Sequence, residues 1–183
     1  MAIIKRSPIG ADQPPLSPNL GGVFKKMGGT PISPVRRNSA PLVKNFPKSK
    51  RLIINSDGAA VPNPGLAGIG AVLRNDKGVV VAEISKYIGP STNNKAEFLA
   101  LIAGLEKALE LGAEHVDINS DSELIVRQIE GKYRSKVMKP LFDQVVSLLC
   151  EFKSYTVQHI PREQNTEADA LSKRALRLKL KAR

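Results

Sequence analysis

The sequence predicts an α/β fold in which helices pack on a five-stranded mixed sheet, its first three strands antiparallel, behind a disordered tail. Three observations lead there. Short apolar runs bounded by Gly, Pro and Asn recur before residue 90. A long amphipathic helix pattern follows, and strand and helix patterns then alternate to the end. Composition also changes near residue 50: residues 1–50 hold 8 of the 13 prolines and 5 of the 14 glycines. The apolar residues of that segment never recur at a helix or strand period, so it cannot bury enough surface to offset the entropy of ordering it.

The elements follow in order. Leu52-Ile53-Ile54 is an apolar run ended by Asp57-Gly58, and Pro62-Asn63-Pro64-Gly65 is dense turn chemistry. Gly68 to Arg74 and Val79 to Tyr87 read as strands joined by the hairpin signal Asn75-Asp76-Lys77-Gly78. Phe98, Leu101, Ile102, Leu105, Ala108 and Leu109 share one helical face, with Gly112 as a stop. His115 to Ser120 predicts a strand, Ser122 to Ile129 a short helix and Leu141 to Phe152 an amphipathic helix. Tyr155 to Ile160 supplies the last strand, and Ala168, Leu171, Ala175 and Leu178 stripe a C-terminal helix. The domain division is therefore a tail over 1–50, a folded domain over 51–178 and a basic end over 179–183.

Charge is divided along the same boundaries. The 183 residues carry a net +11, but residues 1–50 hold nine Lys and Arg against one acid, 51–172 hold thirteen against sixteen, and 173–183 hold six against none. A domain basic all round is excluded, and the ends become candidate contacts to a polyanion. Part of the C-terminal run is explained by the helix dipole alone. Cys150 has no partner cysteine for an internal disulfide, and the sequence contains neither a secretory leader pattern nor an apolar run of membrane-spanning length. A cytoplasmic setting is the expectation, with an organelle transit peptide as the alternative reading of residues 1–50.

Two of the apolar runs lead into the same tripeptide, Asn55-Ser56-Asp57 and Asn119-Ser120-Asp121. On neighbouring strands these would bring two carboxylates close enough to raise each other's pKa, a conflict that a divalent cation resolves. Glu97 lies along the apolar stripe of the long helix, and Asp169 lies in the first turns of the last helix near its packed face. Taken singly, Asp57 is equally a turn residue, Asp121 a helix N-cap, and Glu97 and Asp169 helix-start acids favoured by the macrodipole. Four together point to an oxygen-only site suited to Mg²⁺ or Mn²⁺ rather than Zn²⁺.

Residues 52–176 resemble ribonuclease H type 1, through Asn55-Ser56-Asp57-Gly58 with Asn63-Pro64-Gly65, Thr92-Asn93-Asn94-Lys95-Ala96-Glu97, Ser120-Asp121-Ser122 and Asn165-Thr166-Glu167-Ala168-Asp169. The resemblance implies an RNase H-like fold and a monomer; no membrane partner is expected, from the lack of a long apolar run. It implies an endoribonuclease that cuts the RNA strand of RNA/DNA hybrids with two Mg²⁺ ions, Mn²⁺ being the alternative, leaving 3′-hydroxyl and 5′-phosphate ends. Carried over, Asp57 would bridge both ions, Asp169 would complete the ion that activates water, and Glu97 and Asp121 would hold the ion at the leaving oxygen. Arg162 matches an arginine of one branch of the family and would contact the phosphate; His159, in the same region, reads as the end of a strand. Gly58, Asn63, Thr92, Asn94, Tyr133 and Asn165 match positions or regions that meet nucleic acid. Contacts to duplex shape and 2′-hydroxyls carry little sequence information.

The chain departs from the family pattern in places. Glu123 stands where many relatives have Gln, and an acid there repels phosphate. The stretch Gly131 to Lys136 is short and lacks the tryptophans of a basic insertion, leaving Tyr133 among Lys132, Arg134 and Lys136. No N-terminal hybrid-binding domain is identifiable in residues 1–50. Alternative functions are a nuclease for double-stranded RNA or RNA–DNA junctions, and a non-catalytic nucleic-acid-binding module on the same fold.

Overall fold

The computed structural model describes residues 2–4 and 50–181, with side chains over 50–180. The rest of the segment expected to be a disordered basic tail, and Ala182 and Arg183 of the basic end, lie outside the described residues. The elements are β1 (Ala2–Ile4), β2 (Arg51–Val61), β3 (Gly65–Asn75), β4 (Val80–Ser91), α1 (Asn93–Glu110), β5 (His115–Ser120), α2 (Glu123–Ile129), α3 (Lys139–Cys150), β6 (Ser154–His159), a 3₁₀ turn (Arg162–Gln164) and α4 (Thr166–Lys181). The sheet order is β1-β6-β5-β2-β3-β4. β2, β3 and β4 pair antiparallel, and β5 pairs parallel with both β2 and β6. The five expected strands and four expected helices are all present.

Two differences have physical causes. Residues 2–4, expected to carry no element, pair antiparallel with β6, satisfying backbone groups of what would otherwise be the open sheet edge. β2 does not stop at Asp57-Gly58. It continues to Val61 because β3 pairs with it out to Leu66, so the turn reading of Asp57 is corrected: the residue is mid-strand. The last helix runs to Lys181, in keeping with a basic run that continues the helical pattern.

Strand alternation assigns β2 two faces. Leu52 and Ile54 pack under Phe98, Leu101 and Leu105 of α1, all fully buried. Burial of each such side chain contributes roughly 2 kcal/mol. Asn55 and Asp57 face the opposite side, where α4 crosses β3. Both helices approach closely because glycines line their tracks. A Cβ at Gly58 would lie 2.1 Å from the Ala96 carbonyl carbon, and one at Gly70 would lie 2.2 Å from the Ala168 carbonyl oxygen and 2.5 Å from the Ser172 nitrogen. These are backbone atoms that cannot swing aside.

Gly70→Ala is expected to destabilise the protein by about 3 kcal/mol through overpacking, whereas Gly78→Ala, at a hairpin position with φ +76° and open space around it, costs only about 1–2 kcal/mol. Urea unfolding of the two variants checks this. Equal losses would mean that the approach of α4 does not depend on the missing Cβ.

Candidate active site

Parallel pairing between β2 and β5 ends at Asn55 and Asn119. Beyond that point β2 continues alone with β3, and β5 turns away at Ser120 into α2. The gap this opens receives Asp57 from β2 and Asp121 from the chain just after β5. Glu97 arrives from the second turn of α1, beyond the first turn where the dipole alone would account for an acid. Asp169 arrives from the start of α4. The N-cap reading of Asp121 is corrected: Ser122 is the cap residue of α2, and its side chain makes no capping bond.

Each carboxylate is held by a different donor. Ser172 Oγ lies 2.6 Å from Asp57 Oδ2. Ser122 Oγ donates to Glu97 Oε2 at 2.6 Å. Asn165 Nδ2 donates to Asp121 Oδ1 at 2.7 Å and to the Ser56 carbonyl at 2.9 Å. Asp169 instead takes two cations, Arg162 at 3.1 Å and Lys173 at 2.7 Å. Behind Asn165 an amide chain crosses the sheet: Asn55 Nδ2 donates to Asn165 Oδ1 at 3.3 Å, and Asn119 Nδ2 donates to Asn55 Oδ1 at 3.4 Å. The repeated Asn-Ser-Asp tripeptides thus supply amides as well as acids.

Electrostatics separate these groups. Burial pushes the Asp57 carboxyl above its ordinary value, and the charges of Asp121 and Asp169 add to this, against the Ser172 hydrogen bond and the Arg162 charge. Burial likewise raises Glu97, reinforced by Asp57 and Asp121 and opposed by Ser122 and Arg162. At Asp169 burial also pushes upward, but the hydrogen bonds and charges of Lys173 and Arg162 outweigh it and hold the carboxyl low. Arg162 is raised, first by its hydrogen bond to Asp169. Among the described residues no three His, Cys, Asp or Glu side chains converge closely enough to form a ready metal cage. The donor set nonetheless suits a hard divalent cation. It consists of carboxylate oxygens, and a dication would reverse the raised pKa of Asp57 and Glu97.

The other expected residues are placed as follows. Arg162 is in the 3₁₀ turn with its side chain 69% exposed. His159 ends β6, as expected, with Nε2 3.3 Å from the Asp121 carbonyl oxygen. Asn165 is 1% exposed and fully engaged within the protein, so its amide is not presented to a ligand. Thr92 caps α1, accepting from Lys95 N at 3.3 Å. Asn63 Oδ1 accepts from Asn93 N at 3.1 Å, tying the exposed turn to that helix start, where Asn94 is exposed. Gly58 is buried against α1. Tyr133 is 47% exposed and lines a cavity of about 520 Å³ with Arg134, Lys136, Lys139 and Phe142, away from the carboxylates. The negative charge of Glu123 is paired with Arg127 at 2.6 Å. Sequence reasoning missed Ser172, Lys173 and the Asn55-Asn119 link as parts of the site. A serine on an apolar stripe, three residues after Asp169, was the available signal for the first.

A family model described as "Reverse transcriptase-like" matches residues 55–175. A bifunctional protein of Mycobacterium tuberculosis is 39% identical over 129 residues, 69% of this chain and 35% of that protein. Ribonuclease HI of Halobacterium salinarum is 38% identical over 122 residues, 66% of this chain and 61% of that protein. The chain therefore spans about a third and about three fifths of these two relatives. The crystal structure of LC11-RNase H1 in complex with an RNA/DNA hybrid matches with TM-score 0.66 and 40% identity over 70% of this chain and 99% of that one.

The raised pKa of Asp57 has a consequence for stability. A carboxyl raised in the folded state favours folding when protonated, and that advantage is lost as pH rises from the unfolded value through the folded one. Asp57→Asn is therefore expected to stabilise the metal-free protein by about 1 kcal/mol at neutral pH, with the difference closing below the ordinary carboxylate range. Thermal melts in EDTA across pH test this. A variant less stable than wild type at neutral pH would refute it.

Proposed function

The chain belongs to the ribonuclease H type 1 family, and from that premise we propose that it is an endoribonuclease hydrolysing the RNA strand of RNA/DNA hybrids. The observation that carries the reading is the gathering of Asp57, Glu97, Asp121 and Asp169 where β2 outruns β5. The hybrid bound by the LC11 relative supports the substrate. The reaction adds water to phosphorus and breaks the bond to the 3′-oxygen, which takes up a proton. The products are 3′-hydroxyl and 5′-phosphate ends.

Asp57, Glu97, Asp121 and Asp169 are the residues that would hold two Mg²⁺ or Mn²⁺ ions, which when bound supply Lewis acidity at the phosphate and a more acidic water. The protein's own groups do the rest. Ser172, Ser122 and Asn165 each bond one oxygen of a different carboxylate, and none of the three bonds the other oxygen. Arg162, extended over Asp169, carries a charge that cannot be lost near neutral pH and suits a phosphate oxygen. Thr92, Asn94 and the Asn63 turn form a polar rim at the start of α1 for the duplex backbone. Such contacts read shape and 2′-hydroxyls, so cleavage has little sequence preference. We assign the protein to the cytoplasm as a monomer.

A cleavage assay with Mg²⁺ or Mn²⁺ on labelled RNA/DNA, RNA/RNA and DNA/DNA duplexes tests this. Cutting confined to the RNA of the hybrid is expected, and Asp57→Asn should reduce it roughly a thousandfold, about 4 kcal/mol in the barrier. Cutting of RNA/RNA alone would favour the double-stranded RNA reading. Failure of wild type on every duplex would sink the enzyme.

The basic tail has a separate test. Replacing Lys25, Lys26, Arg36, Arg37, Lys44 and Lys48 by Gln, which leaves β1 and Lys50 in place, is expected to leave kcat intact, raise KM for the hybrid and flatten its dependence on salt, because fewer counterions are then released on binding. An unchanged salt slope would remove the tail from substrate binding.

A further inference from the structure

Ser172 is fully buried, in the stripe by which α4 packs on β3. Its neighbours in that stripe, Ala168, Leu171, Ala175 and Leu176, are apolar and buried. Alanine would satisfy the packing with better helix propensity, and a buried hydroxyl costs about 1–3 kcal/mol unless it is bonded. A serine here therefore needs a use beyond packing.

Its surroundings supply one. The single hydroxyl proton has two acceptors, Asp57 Oδ2 at 2.6 Å and the Asp169 carbonyl oxygen at 2.9 Å. The second is the ordinary back-bond of a helical serine; the first is a bond to a carboxylate and stronger when Asp57 is ionised. Giving up the second costs little, because a helix carbonyl at that position keeps its backbone donor. Asp57 is the acid most enclosed by the fold, 7% exposed, and no other side chain is recorded bonding to its carboxylate among the described residues. Its rotation is therefore set by Ser172. Because Ser172 lies one turn beyond Asp169, the same hydroxyl joins the acid of β2 to the helix start carrying the last acid.

We propose that Ser172 is a positioning residue. It holds Asp57 by Oδ2, so that Oδ1 is the oxygen offered to a divalent cation, and fixes Asp57 relative to Asp169. The inference deepens the reaction proposed above and rests on it. Supporting groups of this kind typically alter metal affinity by 10- to 100-fold.

The test is Ser172→Ala in the full chain, titrated with Mn²⁺ alone and followed by electron paramagnetic resonance and calorimetry, then assayed on the hybrid. The expected result is a Mn²⁺ Kd about tenfold weaker, a comparable fall in kcat, KM for the hybrid unchanged, and a modestly lower metal-free Tm, because the enclosed Asp57 carboxylate loses its side-chain donor. Ser172→Cys, of similar size but a weak donor, is expected to fall between the two. Ser147→Ala, which removes an exposed helical hydroxyl bonded only to the Asp143 carbonyl, serves as the control and changes none of these. Equal Mn²⁺ affinity in wild type and Ser172→Ala would overturn the inference. So would a lower Tm with affinity unchanged, which would assign the hydroxyl to stability. Wild-type protein that binds no Mn²⁺ would instead sink the two-metal reading beneath it.

Discussion

Four carboxylates crowd the place where one strand outruns its neighbour, and the surrounding structure is arranged to tolerate that repulsion. Burial and mutual charge push Asp57 and Glu97 upward, so keeping both ionised works against the fold. What keeps the acids in place is a set of donors approaching from the protein side. Ser172, Ser122 and Asn165 offer neutral hydrogen bonds, which orient a carboxylate without cancelling its charge. Asp169 meets full cations, and they hold it below the ordinary range.

That donor set in turn dictates the packing. Ser172 reaches Asp57 because α4 lies against β3 over Gly68 and Gly70, where a Cβ would strike helix backbone. Glu97 reaches the same gap because Gly58 lets α1 descend onto β2. Asp57 and Gly58 are adjacent and face opposite sides of the sheet. One dipeptide thus presents the acid on one face and admits the helix carrying the second acid on the other. Chemistry and close packing are inseparable there, and most side chains at position 58 would displace Glu97 before they touched a ligand.

The sequence made the element order legible, because strand alternation and the α1 stripe are local patterns. It also brought out the four acids together: Asp57 and Asp121 through a repeated tripeptide and Glu97 through its place on an apolar stripe, whereas Asp169, in the first turn of α4, has the helix dipole as a local reason and stood out only in company with the others. The register at the centre was not legible. Asp57-Gly58 looks like a turn, and only pairing with β3 out to Leu66 shows it to be mid-strand. Ser172 was hidden for a related reason: a serine on an apolar stripe is unremarkable until the residue across the interface is known. Asn165 belonged to a motif that resembles a nucleic-acid contact, but its burial and its bonds to Ser56 and Asp121 turn its amide inward. Motif order carried the family, and tertiary contact decided what each polar atom does.

The charge asymmetry of the chain can now be related to the site. Four formal carboxylate charges stand against Arg162 and Lys173, leaving two uncompensated, and a phosphodiester would bring a third. Surface cations cannot make up this deficit, because an exposed pair contributes little in water and the deficit lies in a partly buried gap. Two dications at the carboxylates would more than offset it, giving the site a net attraction for phosphate only when loaded. On the proposed function the basic residues at the ends of the chain would have a different physical task. They would act at long range on the whole polyanion, through counterion release that weakens with salt, while the site would act at contact distance through cations held by its carboxylates. Affinity that falls with salt and chemistry that needs a hard divalent ion would then be separate requirements of one substrate, met by separate parts of one chain.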